Sequence, residues 1–485
     1  MGYHFIECDR DQRFLLPEDM RDWLPEDDVC WFLIDIVEKM DLYPFYLKYN
    51  PEGMGRRAYD PRMLLCLMIY AYALGERSSR RIEALCRRDV AFRVVTGNRT
   101  PDHTTICRFR KDNAEELERA FTEALELCVK EGAVDPGVLA VDGTRIEANA
   151  SMDRNIEMDE QLKRTVRRWL EEADKTDEAE DELYGPENRE NKVPERLADP
   201  ETRKKVIEEY FAREREPQEA EKKQGEALAR RRAEEKRTGK KNGGPRAKSP
   251  AEARARVESK KRQINTTDPD SRIMKDSRGY LQGYNTQVAV TKDQLIVAAE
   301  LYRESSDAQL LHPLIEKAQG NLERSACQQG IEEIVADTGY MSEDNVIREN
   351  ITAEGDVKEG GPRLYIATKK DRKIARELKE MPATDEALPP DEDGLTGMEK
   401  MALRHRSERG RELFRIRGTT VEPVFGQIKE GRKCRRFMLR GIDACKGELM
   451  LICTVHNLMK LFALTSAPPG GNQRQSNEKG KNGRT

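Results

Sequence analysis

Apolar positions along this chain change their period more than once. From residue 30 to residue 131 they recur at helical spacing. Pro61 opens the run MLLCLMIYAYAL and Gly75 closes it. The next segment, SSRRIEALCRRDVAFRVV (Ser78–Val95), starts on serine, carries Ile82, Leu85, Val90 and Val94 inside, and ends at Gly97. Thr100 before Pro101 predicts an N-cap and a first helical residue for PDHTTICRFRKDNAEELERAFTEALELC. Two helices joined by a short glycine-containing turn make a helix-turn-helix-like pattern at about 78–113, with Thr104, Thr105, Arg108 and Lys111 as groove and phosphate contacts. An ordinary helical bundle has the same pattern.

Strand patterns begin at Gly137. In GVLAVDGTRIEANAS the apolar run Val138–Val141 leads straight into Asp142. In GYNTQVAVTKDQLIVAAELY two alternating runs flank Lys292 and Asp293, which predicts a β-hairpin. A helix is expected near Leu310–Gln319. Then IEEIVADTGYMSEDN repeats the earlier device, with Ile334–Ala336 ending in Asp337, and LYIATKK from Leu364 is a further strand. Tyr340, three residues after Asp337, either stacks on a base or packs in the core.

Residues 151–262 interrupt this pattern with 30 Lys/Arg and 28 Asp/Glu. Leu162, Val166, Trp169 and Leu170 form one helical face, and Val206, Ile207, Tyr210 and Phe211 a second, which predicts a helical hairpin. KRTGKKNGGPRAKSP is expected to be mobile, residues 380–400 to form an acidic loop, and residues 466–485 to be a disordered tail.

Charge changes the picture more than composition does. The 485 residues carry a net charge of −4, yet three blocks are basic: Glu76–Lys111 (+6), Arg404–Lys446 (+8) and Arg230–Arg262 (+10). Such blocks on a nearly neutral chain fit a protein that holds nucleic acid along defined surfaces. The ten cysteines show no metal-ligand spacing, which disfavours zinc and fits a reducing cytoplasm. The start, MGYHFIECDRD, has no basic segment followed by an apolar run, so no secretory leader is expected. No apolar run reaches the roughly 18 residues of a membrane span. Met63–Ala73 and Leu449–Leu464 are expected to be core helices.

A charged side chain at the end of a buried strand is costly unless something compensates it. Two strands ending in acids, with Glu422 in RGTTVEPVFGQIKEGRKCRRF as a third, make chemical sense around divalent metal. Thr419 or Thr420 is expected to cap a helix there, with Pro423 in its first turn. That places Glu422 beside a helix N-terminus and Lys429 two turns on. His456 is expected to serve packing or hydrogen bonding.

The order strand–Asp142, hairpin, strand–Asp337, helical Glu422 with Lys429 resembles the DDE transposases of bacterial insertion sequences. GRRAYDPRMLLCLMIYAYALGERSSRRIEALCRRDVAFRVVTG with PDHTTICRFR resembles their N-terminal helical domain. VDGTRIEANAS, GYNTQVAV, VADTGY, VEPVFGQIK and HNLMKL resemble segments of their catalytic domain. The family signature departs here: Phe414 takes the tyrosine-like place, and Arg417 precedes Glu422 by four intervening residues.

The resemblance implies a mixed α/β fold. A helical DNA-binding domain over residues 1–131 would precede a ribonuclease H-like core over 132–465, with the charged insertion 151–262 inside it. It implies Asp142, Asp337 and Glu422 as catalytic carboxylates holding two Mg²⁺ ions, with Mn²⁺ as the alternative. Asp142 would bridge the ions. Arg417, Lys429, Arg432, Arg435 and Arg436 would position phosphates. The implied activity is metal-dependent strand cleavage and strand transfer at element ends, in the cytoplasm at the nucleoid, by a homodimer on double-stranded DNA without a membrane. A nuclease that does not join strands, a non-catalytic DNA-binding protein and a coiled-coil scaffold are the alternatives.

Overall fold

The computed structural model describes residues 20–49, 58–157, 200–239, 248–258, 263–276, 278–351, 360–369 and 395–466. The chain divides into two compact units, Met1–Phe109 and Arg110–Thr485. The described elements of the first unit are helical. They include α1 (Val29–Lys39), the single turn α2 (Tyr43–Tyr46), α3 (Pro61–Ala73), α4 (Ser79–Arg88) and α5 (Val90–Val95), and α6 (His103–Asp112) begins there. Pro61 is the first residue of α3, and Asp60 caps it by accepting from the Arg62 N–H. Leu64 to Tyr72 are all buried, as an apolar run with no polar stripe requires.

Two expected helices are divided at polar residues. Ser78–Val95 divides at Asp89, which is extended (φ −101°, ψ 131°) and accepts from the Ala91 and Phe92 N–H groups. The helix expected from Pro101 starts two residues later. Asp102, not Thr100, receives the Thr104 and Thr105 N–H groups. That helix then stops at Asn113 (φ −118°, ψ 37°), and α7 (Ala114–Lys130) starts anew. The expected domain boundary at 131 lies beyond the division between units, because α7 belongs to the second.

The second unit is built on a mixed sheet of β1 (Val138–Glu147), β4 (Arg272–Asp276), β5 (Gly279–Thr291), β6 (Ile296–Tyr302), β7 (Glu333–Ala336) and β8 (Arg363–Ile366). The order is β4–β5–β1–β7–β8, and β6 shares the outer edge of β5 with β4. β5 runs antiparallel to β1, whereas β7 is parallel to β1 and β8 to β7. Leu139–Val141 and Ile334–Ala336 are wholly buried, which explains their continuous apolar runs. The expected hairpin forms as β5–β6, its turn passing through Gln294 at φ 66°.

Helices α10 (Leu311–Arg324), α11 (Glu343–Ile347), α12 (Gly397–Arg406), α13 (Glu408–Gly426) and α14 (Ile442–Thr465) complete this core. α14 packs on α7 and β6. It has the length and apolarity of a membrane span, contrary to expectation, but 72% of its apolar window is buried in the protein. Gly447 of α14 lies so close to Ala114 that a Cβ there would meet the Ala114 Cα at 2.7 Å. The part of the expected acidic loop that is described is helical: Thr396 and Glu399 form a reciprocal cap at the start of α12. Residues 380–394 and the tail beyond Ser466 lie outside the described residues.

The insertion leaves and re-enters the core through a two-stranded neck, β2 (Asn155–Glu157) with β3 (Gln263–Asn265). Between them lie α8 (Pro200–Thr238) and α9 (Pro250–Glu258). α8 is fastened to the core at two places. The buried Glu209 meets Arg213, Arg272 and Arg303. Further along the same helix, Arg230 makes a two-pronged contact with Asp344 (2.7 and 2.9 Å). The other half of the expected hairpin, around Leu162–Leu170, lies outside the described residues.

Candidate active site

Strand register brings the first two acids together. Val141 of β1 pairs with Ala336 of β7, so Asp142 and Asp337 are the next residues on two neighbouring parallel strands. Both stand at the carboxyl ends of that pair, where open α/β sheets place their ligands. β1 continues along β5, whereas β7 stops and turns through Thr338–Tyr340. Each acid is fixed locally: the Gly143 N–H donates to Asp142 Oδ1 (2.7 Å), and the Gly339 N–H to Asp337 Oδ1 (2.8 Å).

A cleft of about 530 Å³ opens over these residues, lined also by Asp307, Arg145, Lys275, Arg278, Lys429 and Arg435. Asp307 has no counterpart in the sequence reading. Its Oδ1 accepts from Asn285 Nδ2 and Gln287 Nε2 (2.8 Å each) and lies 3.4 Å from Arg145. A Cβ on Gly339 would meet an Asp337 oxygen at 2.9 Å and an Asp307 oxygen at 3.1 Å, so both carboxylates converge on the space that this glycine leaves empty.

The charges of Asp142 and Asp337 oppose each other, although basic side chains line the same cleft. Burial, and then the charge of Asp337, push the Asp142 carboxyl up to about 7, against the pull of Arg417 at 3.7 Å. The adjacent carboxylates of Asp142 and Asp337 are hard oxygen donors of the kind that fit a divalent ion such as Mg²⁺. Among the described residues, however, no three His, Cys, Asp or Glu side chains form a closed ligand group. The acids present an open, two-sided cradle.

Glu422 is placed differently from expectation. α13 runs unbroken from its cap at Ser407 to Gly426, so Glu422 lies in its last turns and not at its start. Thr419 and Thr420 turn their hydroxyls back to the carbonyls of Arg415 and Ile416 instead of capping. Pro423 is tolerated inside the helix because the Thr419 carbonyl, which loses its N–H partner to proline, accepts from Gln294 Nε2 (3.2 Å). The buried face of α13 carries Leu413, Arg417, Thr420, Val421 and Val424. Glu422 is exposed and is not among the residues that line the cleft.

The expected phosphate contacts separate into groups. Lys429, in the π-helical turn Gln427–Gly431, lines the cleft and donates to Thr144 Oγ1 and the Arg145 carbonyl. Burial, and then Arg435, hold its ammonium down to about 8. Arg435 lines the cleft beside its partner Glu430. Arg436 is exposed but tied to Ala148 O and Asn149 Oδ1. Arg417 turns inward to Asp142.

Arg432 turns away from the cleft. Its Nη1 lies 3.4 Å from His456 Nδ1, and the His456 Nε2–H donates to the Gln294 carbonyl (2.8 Å). That makes His456 the hydrogen-bonding residue expected. Tyr340 is fully buried and donates to Gln287, so it packs and does not stack on a base. On α6, Thr104, Arg108 and Lys111 are exposed on one face. The hydroxyls of Thr104 and Thr105 are engaged by Asp102. Glu83 of α4 accepts from the His103 N–H (3.0 Å), which joins the two helices of the helix-turn-helix-like pattern.

Residues 18–112 match the family described as Transposase domain (DUF772), and residues 396–462 match the family described as Transposase DDE domain. The second match contains Glu422 and Lys429; Asp142 and Asp337 lie outside both. No curated protein and no solved structure matches the chain.

Proposed function

The chain is an insertion-sequence DDE transposase, and from that premise we propose that it cuts DNA at the ends of its own element and joins the freed 3′ end to target DNA in the cleft around Asp142 and Asp337. The strand register supports this assignment: two carboxylates side by side where the pairing of β1 with β7 ends, with cations facing them. The strand order β6–β5–β1–β7–β8, antiparallel on one side of β1 and parallel on the other, is the arrangement we assign to a ribonuclease H-like core.

Transposases of this kind use divalent metal, and the oxygen donors of Asp142 and Asp337 would hold it. Bound there as a pair, Mg²⁺ ions would supply positive charge to the attacking and leaving oxygens of the phosphodiester. The protein's own groups do the rest. Lys429 and Arg435 hold the scissile phosphate against the two aspartates, and phosphate contacts of this kind fix register without reading sequence. Arg417 keeps Asp142 oriented from behind. Water then breaks the P–O3′ bond of the element strand, and the released 3′ hydroxyl displaces an O3′ in target DNA, so bonds broken and formed balance and no covalent enzyme intermediate is needed. Glu422 is the third acid by family resemblance, on the helix whose Arg417 touches Asp142. The exposed face of α6 reads the element ends.

Purified protein incubated with DNA carrying the sequences that flank its own gene tests this. Nicking at the element ends and joined products are expected with Mg²⁺ and not with EDTA. Nicks without joined products would leave a nuclease, and no nicking would remove the assignment.

A further inference from the structure

The tip of the β4–β5 hairpin is not used by any role assigned above. Its Lys275, Asp276 and Arg278 line the same cleft as Asp142 and Asp337. Lys275 pairs directly with Tyr280 across the hairpin, so their side chains share one face of the sheet. Alternation along β5 puts Tyr280 on the face of Tyr284. Tyr284 in turn pairs with Ile146, on the face of β1 that carries Asp142 and Thr144. The ring of Tyr280 therefore stands on the side of the acids.

Tyr284 on this face is buried and donates to Asp268, but Tyr280, beyond the edge of the core, is 67% exposed. Ile273 on the same face is 41% exposed. A lone exposed aromatic is ordinary. This one stands on a two-stranded ladder with the exposed Lys275 and with Arg278, whose Nε lies 3.7 Å from Asp276 Oδ2, at the mouth of an acid-lined cleft. Cations that follow a backbone, next to an aromatic face, suit one strand of nucleic acid. A backbone that enters the cleft beside the acids meets these cations. A base left without its complement next to the cut would offer a face that an aromatic ring can cover.

We propose that this hairpin tip is a clamp for the cut strand, in which Lys275 and Arg278 neutralise phosphates next to the scissile one and Tyr280 stacks on an unpaired base beside it. The proposal rests on the function proposed above. None of the three side chains belongs to the carboxylate cluster, so their loss separates strand holding from chemistry.

The test uses the full chain carrying Asp142→Asn, which blocks cleavage, and a duplex with the sequences flanking its own gene. 5-Iodouracil is placed in turn at positions near the cut. Irradiation should crosslink one of these positions to Tyr280. Tyr280→Ala should lose that crosslink and bind roughly 5- to 150-fold more weakly, the range for one base–aromatic stack. Tyr280→Phe should keep near-parental affinity. Lys275→Gln with Arg278→Gln should lower the slope of log affinity against log salt by about 0.9 per contact removed. The urea midpoint should stay at the parental value in each variant, because these side chains are exposed. Parental affinity and salt slope in all variants, or a crosslink only elsewhere, would overturn the clamp while leaving the transposase assignment standing. Failure of the unsubstituted chain to cut this DNA with Mg²⁺ would overturn both.

Discussion

At the scale of single residues, the cleft sets Glu422 against Asp307 as the third acid beside Asp142 and Asp337. Asp142→Asn and Asp337→Asn should each lower strand cleavage at least about a thousandfold, since a metal's charge stabilisation amounts to several kcal/mol. Binding of end DNA should remain near the parental level in a filter or gel-shift assay. Glu422→Gln and Asp307→Asn then compete. Loss of cleavage in the first alone is expected from the family resemblance. Loss in the second alone would transfer the role to the acid that lines the cleft.

A second residue-scale prediction concerns stability. His456 is buried and neutral, its imidazole held down to about 3 by burial and then by Arg432. The unfolded chain takes up this proton near pH 6.5 and the folded chain does not. The stabilisation is thus complete above about pH 6.5 and is lost as pH falls towards 3, reaching about 2 kcal/mol lost at pH 5. Urea midpoints measured between pH 7 and pH 5 should therefore fall less in His456→Gln than in the parent.

At the scale of elements, the insertion is the unexpected part. Its basic block Arg230–Arg262 reads as a phosphate-binding surface in the sequence, yet Arg230 is buried and spent on Asp344. Arg230→Ala should cost about 1.5–3 kcal/mol, the range for hydrogen bonds to charged groups, and should leave the salt dependence of DNA binding unchanged. A lower salt slope with unaltered urea midpoint would return Arg230 to the DNA surface. α13 teaches a related lesson. Thr-Thr-Val-Glu-Pro reads as a helix start because proline suits a first turn. The helix passes straight through it because Gln294, 125 positions before Thr419, takes the orphaned Thr419 carbonyl. Local signals cannot contain a partner so far away in sequence.

At the scale of the whole molecule, DNA binding should weaken steeply with salt although the chain's net charge is −4. Neutralised phosphates release counterions, and log affinity falls by about 0.9 per contact per log unit of salt. Lys429→Gln with Arg435→Gln should flatten this slope and reduce cleavage together, because both line the cleft. Arg432→Gln should do neither through phosphate contact, because its guanidinium faces His456. Substituting Arg108 and Lys111 by Gln in the full chain should reduce the preference for end DNA over unrelated DNA. An unchanged preference would remove α6 from recognition.

The sequence by itself determined the described helices of the first unit, the buried apolar runs that lead into Asp142 and Asp337, the β5–β6 hairpin and the buried last helix, though not that β1 runs on past Asp142 to Glu147. Each of these is written in short-range periodicity, and burial enforces that periodicity residue by residue. The pairing of the two aspartates, the inward turn of Arg417 and Arg432, the gathering of Asp307 and Arg145, and the fastening of α8 were decided only in the tertiary structure. The physical reason is that these depend on register between strands nearly two hundred positions apart and on which charge a folded neighbour presents. A charged residue reads the same in sequence whether it meets DNA, a carboxylate or a histidine.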